Sequence, residues 1–160
     1  MGLGIGELFC FTEYRNPDIL RADMDRLRIL IVEDDIDLRR LFRSVLSLAG
    51  YDVTEAGDGV DALHAIDLAP PDLVVLDLQL LALDGLSVQQ ELAARAATRN
   101  VPIVIVTGSD LVVEADNVVC LLRKPVSPDR LLGIVQHSFA STAPAIRRRS
   151  SSRPPEPAVS

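Results

Sequence analysis

The chain has 160 residues, 48% of them hydrophobic, which suits one compact domain with a single core and no need of disulfides or structural metals. Its formal charge is −7; residues 141–160 hold four Arg and one Glu, so the first 140 carry 12 basic and 22 acidic groups, a charge of −10 that argues against direct binding to nucleic acid. Cys10 and Cys120 lie outside any zinc or redox spacing, and the most apolar stretch, 73–83, is broken by Asp77 well short of a membrane span, so a cytoplasmic protein with no membrane insertion is expected.

Residues 1–25 mix Gly, Pro and charge without a sustained period, and Met24 stands just before the first well-patterned segment, so they read as a flexible N-terminal extension. Gly2, Gly4 and Gly6 lack the preceding strand that a phosphate-binding loop needs. From Leu27 onward, short β-branched or Leu-rich runs at 27–32, 51–55, 72–76, 102–106 and 118–122 alternate with segments of helical period. This alternation predicts βα repeats around a parallel sheet whose strands are buried on both faces.

The first helix, 36–49, carries Leu38, Leu41, Phe42, Val45, Leu46 and Leu48 on one broad stripe, with Gly50 where a left-handed cap is wanted. Asp58 can cap a second helix over 59–68, Asp84 a third over 85–98, and Ser127 followed by Pro128 a last one over 128–139. Between the fourth and fifth strands, 108–117 has room for a turn or two of helix at most. Residues 141–160 are rich in Ser, Pro and Arg and read as a disordered tail, in which Arg147, Arg148 and Arg149 form a basic cluster.

In an open parallel sheet, ligand sites form beyond the carboxyl ends of the strands. Here the first strand leaves into Glu33, Asp34 and Asp35, the third ends at Asp77, the fourth at Thr107 and the fifth at Arg123, Lys124 and Pro125. Carboxylates gathered on one rim repel each other unless a cation sits among them, and hard oxygen donors suit magnesium. Asp35 and Asp37 are better read as helix-capping residues. A carboxylate beside a divalent cation can attack phosphorus, a threonine hydroxyl can hydrogen-bond a phosphoryl oxygen, and an ammonium can balance its charge. Lys124 is the only lysine among sixteen basic residues, and it falls at this rim.

The segments RILIVEDD (28–35), PDLVVLDLQLLALDG (71–85), VTG (106–108) and LRKPVSPDRLL (122–132) resemble, in order, the signatures of the receiver domain of bacterial two-component response regulators. The likeness covers 27–139 and sets a domain over 26–140. It implies a flavodoxin-like three-layer sandwich with a five-stranded parallel sheet of order 2-1-3-4-5. It further implies that Asp77 accepts a phosphoryl group, that Glu33 (through water), Asp34, Asp77 and the backbone carbonyl of Gln79 bind Mg2+ or Mn2+, and that Thr107 and Lys124 hold the phosphoryl oxygens. The donor would be a sensor histidine kinase or phosphotransfer protein, and the output a downstream protein target. A homodimer is left open. Such a protein is no enzyme beyond catalysing its own phosphotransfer and dephosphorylation.

Three features depart from the family pattern. Leu81 stands where Pro is usual. Leu121 takes the place of an aromatic ring that couples Thr107 to the outer surface, leaving Thr107 and Leu121 as the switch and readout pair. The stretch from Thr107 to Lys124 is short, which trims or removes the fourth helix. A degenerate receiver acting as a phosphorylation-independent interaction module is therefore the alternative reading. A haloacid-dehalogenase-type phosphatase fits less well, because Gln79 stands where its second Asp would act as general acid. The polar tail is too short for a helix-turn-helix output domain, so a stand-alone, single-domain regulator is expected. His64 and His137 fall in helical patterns without a partner carboxylate or metal spacing and are expected as surface or half-buried helix residues.

Overall fold

In a computed structural model, the described residues are 26–80, 84–111 and 113–146, with side chains described as far as residue 140. The expected leader, Leu81 and the Arg147–Arg149 cluster lie outside them. Five strands, β1 (Arg28–Val32), β2 (Asp52–Ala56), β3 (Leu73–Leu76), β4 (Ile103–Thr107) and β5 (Val118–Arg123), form one parallel sheet of order β2-β1-β3-β4-β5. Four helices, α1 (Ile36–Leu48), α2 (Gly59–Leu68), α3 (Gly85–Ala94) and α4 (Pro128–Ile146), complete a flavodoxin-like sandwich.

The side-chain alternation of the strands divides the core in two. Leu30, Val32, Val74, Leu76, Ile103 and Ile105 join Ala62 and Ile66 of α2 and Val88 and Leu92 of α3. Ile29, Ile31, Val75, Val104 and Val106 join Phe42 and Leu46 of α1 and Leu131, Val135 and Phe139 of α4. The helix starts follow the expected chemistry. Asp35 Oδ1 accepts from the amides of Asp37 and Leu38, Asp58 Oδ1 from Asp61, and Asp84 Oδ1 from Ser87. Gly50, at φ +96°, closes α1: its amide donates to Ser47 O and that of Tyr51 to Leu46 O.

Three expectations need correction. Only the inner strands are buried on both faces; β2 and β5 form the edges, and Val119 on β5 keeps 49% of its surface exposed. Helix α3 stops at Ala94 rather than 98, because Arg95 turns extended and Thr98 Oγ1 donates to Leu92 O, satisfying a carbonyl of the last turn. Helix α4 continues to Ile146, so 141–146 belong to it and not to the expected tail. The short stretch before β5 behaves as expected: among the described residues of 108–117 there is no helix, and Val113 packs against the core there.

Candidate phosphoryl-acceptor site

The exits of β1, β3 and β5 bring Glu33, Asp34, Asp77 and Lys124 to one hollow at the rim of the sheet. The amide of Asp77 donates to Val32 O and that of Glu33 to Ala56 O, so the acids emerge from backbone still held in the sheet. Glu33 and Asp77 are buried, each 2% exposed, while Asp34 is more open to solvent. One carboxylate oxygen from each of Glu33, Asp34 and Asp77 lies within 4.8 Å of the others.

Lys124 closes this hollow. Its Nζ donates to Asp77 Oδ2 at 2.7 Å and to Glu33 Oε1 at 2.9 Å, and lies 2.8 Å from Glu33 Oε2. The other oxygen of Asp77, Oδ1, accepts from the amide of Gln79 at 2.9 Å. Burial pushes the Glu33 carboxyl above the usual range, against the pull of the Lys124 ammonium. Burial also works to strip Lys124 of its proton, but its hydrogen bonds to Asp77 and Glu33 outweigh this and hold its pKa above the ordinary value.

Thr107 is fully buried, and its Oγ1 accepts from the amide of Ser109 at 3.1 Å. Its carbonyl accepts from the amide of Lys124, which ties the β4 and β5 exits together. Gln79 is exposed, and its side-chain oxygen lies over the next turn, 3.0 Å from where a Cβ on Gly108 would sit. Leu121 is half-buried against the core, paired across the sheet with Ile105 of β4. Asp35 and Asp37 stay at the start of α1; the amides of Leu38 and Asp37 hold the Asp35 carboxyl below its ordinary pKa. His64 and His137 are exposed on their helices, and Cys120 is half-buried in β5.

Two contributors were not singled out in the sequence. Gly85 packs against the chain at Asp77 so closely that a Cβ would sit 2.1 Å from Asp77 O. The DG pair at 84–85 signals it only in company with the other segments. Arg39 reaches back from α1 to the loop carrying Glu33 and Asp34, and as one arginine among many it gave no signal.

Residues 29–136 match the sequence pattern of the response regulator receiver domain. The chain belongs to this family. It is 37% identical over 117 residues to a probable transcriptional regulator, ycf27, of Cyanophora paradoxa, covering 68% of this chain and 46% of that protein. It is 38% identical over 126 residues to the response regulator MprA of Mycobacterium sp. (strain KMS), covering 74% and 53%. The chain thus spans about half the length of these relatives.

Among solved structures, a CheY-like receiver domain from Methylobacillus flagellatus matches with a TM-score of 0.63 at 31% identity, over 70% of this chain and 98% of that one. The receiver domain of a sensor histidine kinase from Pseudomonas aeruginosa, with a magnesium ion coordinated in its active-site cleft, matches with a TM-score of 0.64 at 29% identity, over 72% and 98%. The donor set here fits such an ion: three carboxylates converge, two of them buried, with one ammonium to balance them.

Proposed function

We propose that this receiver domain takes a phosphoryl group onto Asp77 from a phosphohistidine on a sensor histidine kinase or phosphotransfer protein, and signals by binding another protein. The observation that carries the reading is the buried Asp77 carboxylate, bonded at 2.7 Å to the chain's single lysine and within 4.8 Å of two further carboxylates.

Asp77 attacks phosphorus, the phosphorus–nitrogen bond to the donor imidazole breaks, and the nitrogen keeps the electron pair. A magnesium or manganese ion, held by Asp34, Asp77, the Gln79 carbonyl and, through water, Glu33, would neutralise charge on the incoming group. Lys124 exchanges its bond to Asp77 for one to a phosphoryl oxygen. Because Thr107 Oγ1 accepts from Ser109, its proton is available for a second phosphoryl oxygen. That demand draws Thr107 toward the rim and pulls the 108–117 segment and Leu121 with it. Water then attacks phosphorus, the bond to the Asp77 oxygen breaks, and inorganic phosphate leaves with the carboxylate restored. The cytoplasm, where such donors and targets reside, is the proposed location; among the described residues no helix is long and apolar enough to cross a membrane.

Incubation with magnesium and acetyl phosphate tests this reading by intact mass. The wild type is expected to gain one phosphoryl group and Asp77→Asn none, with chelation of the metal abolishing the gain. An unmodified wild type would favour a phosphorylation-independent interaction module, and continuing hydrolysis of diverse phosphate esters would favour a phosphatase.

A further inference from the structure

Arg39 stands at the end of the first turn of α1, with its guanidinium over the β1 exit. Its Nη1 donates to the carbonyl of Glu33 at 2.5 Å and reaches that of Asp34 at 3.4 Å. Its Nε lies 3.6 Å from Glu55 Oε1 on β2, and the second oxygen of Glu55 is held by Arg43 Nη1 at 2.7 Å. On the remaining side stands Gly57, where a Cβ would sit 3.4 Å from Nη1. The side chain is 17% exposed, so this fork sits in a fitted slot and is not sampling solvent.

The two carbonyls belong to the consecutive residues whose carboxylates would hold the cation. Both carboxylates must reach one hollow although Glu33 is buried and Asp34 more open, and a peptide chain has only two soft dihedrals per residue with which to set those directions. A planar donor anchored on the neighbouring strand fixes both carbonyls together, a task that suits guanidinium better than ammonium.

We infer that Arg39 is a positioning residue for the cation site, acting through the backbone of Glu33 and Asp34 and clamped by Glu55. The inference rests on the reading of Glu33, Asp34 and Asp77 as the metal ligands. It carries a sign that distinguishes it from a simple charge effect. A cation near the hollow repels a metal ion, so removing the Arg39 charge alone would tighten metal binding. Removing a positioning group weakens it, by about 10-fold to 100-fold for outer-shell partners.

The experiment is titration of Mn2+ into the full chain, followed by the electron paramagnetic resonance of the free ion, with metal-free melting curves alongside. Wild type is expected to bind Mn2+ and Asp34→Asn to lose most of that binding. Arg39→Gln is expected to weaken the Kd by about 10-fold or more. Arg39→Lys keeps the charge but not the fork, and is expected to weaken binding several-fold even where its melting temperature matches wild type. A Kd unchanged or tightened in Arg39→Gln, or a wild-type Kd in Arg39→Lys, overturns the inference while leaving the metal site intact. If Arg39→Gln does not fold, the lysine variant decides. Absence of Mn2+ binding in wild type, or wild-type binding in Asp34→Asn, overturns the metal-site reading and this inference with it.

Discussion

On the β1–β3 side of the sheet, Ile29 to Val32 and Leu73 to Leu76 are all buried, with helices above and below; on the β5 side, Val119 keeps 49% of its surface, Leu111 keeps 57%, and no helix is described between β4 and β5. The site spans the boundary between them. Its carboxylates come from the well-covered side, and Thr107 and Lys124 from the exits of β4 and β5. Metal and phosphoryl chemistry needs ligands fixed to a fraction of an ångström, which dense packing supplies. A readout needs an element cheap to move, and segments with few buried apolar contacts are those. The chain therefore joins a densely packed half to a more exposed edge, and Lys124, bonded to both buried acids, links them.

That contrast can be broken by substitution. The largest effect is expected from Ile31→Ala in the middle of β1, which should cost about 2–5 kcal/mol in denaturant unfolding because its fully buried side chain leaves a cavity. Gly85→Ala should come next, at about 1–3 kcal/mol or more, since the added Cβ overlaps Asp77 O. Unlike the β1 variant, it should also slow the proposed phosphoryl uptake from acetyl phosphate in the protein that remains folded, because the backbone it displaces carries Asp77. Val119→Ala on β5 should stay within about 0.5 kcal/mol of wild type. A Val119 variant as costly as the Ile31 one would erase the distinction between the two sides.

The smallest effect is one of pH, on the covered side. Tyr51 stacks on Phe139 of α4 with ring centroids 5.4 Å apart, and burial raises its phenol above the ordinary pKa. The folded state then holds a proton that the unfolded chain releases, so the contribution of Tyr51 is fully present below the unfolded pKa of about 10 and is lost as pH rises through the folded value. Tyr51→Phe should flatten the alkaline limb of a melting-temperature profile, and an unchanged limb would show that the ring is not shielded.

Much of this arrangement was legible in the sequence because it is written locally. Strand exits follow from short apolar runs that stop at charged residues, and Asp35, Asp58, Asp84 and Ser127 each announce a helix start through chemistry within three residues. What depended on distant partners was not legible. The end of α3 is set by Thr98 bonding back to Leu92, and the exposure of β5 by its edge position in the sheet. Arg39 resembles the other arginines until its guanidinium is seen between Glu55 and two loop carbonyls. A lone lysine at a strand exit suggested chemistry, whereas its simultaneous bonds to Glu33 and Asp77 required the fold.

The most direct test compares backbone amide chemical shifts of the magnesium-loaded chain before and after adding beryllofluoride, which mimics a phosphoryl group on a carboxylate. Large shifts are expected at 33–35 and 77–79, and also through 106–117 and along β5. Shifts confined to the acidic loops, with 106–117 unmoved, would contradict the proposed coupling of Asp77 to the β5 edge.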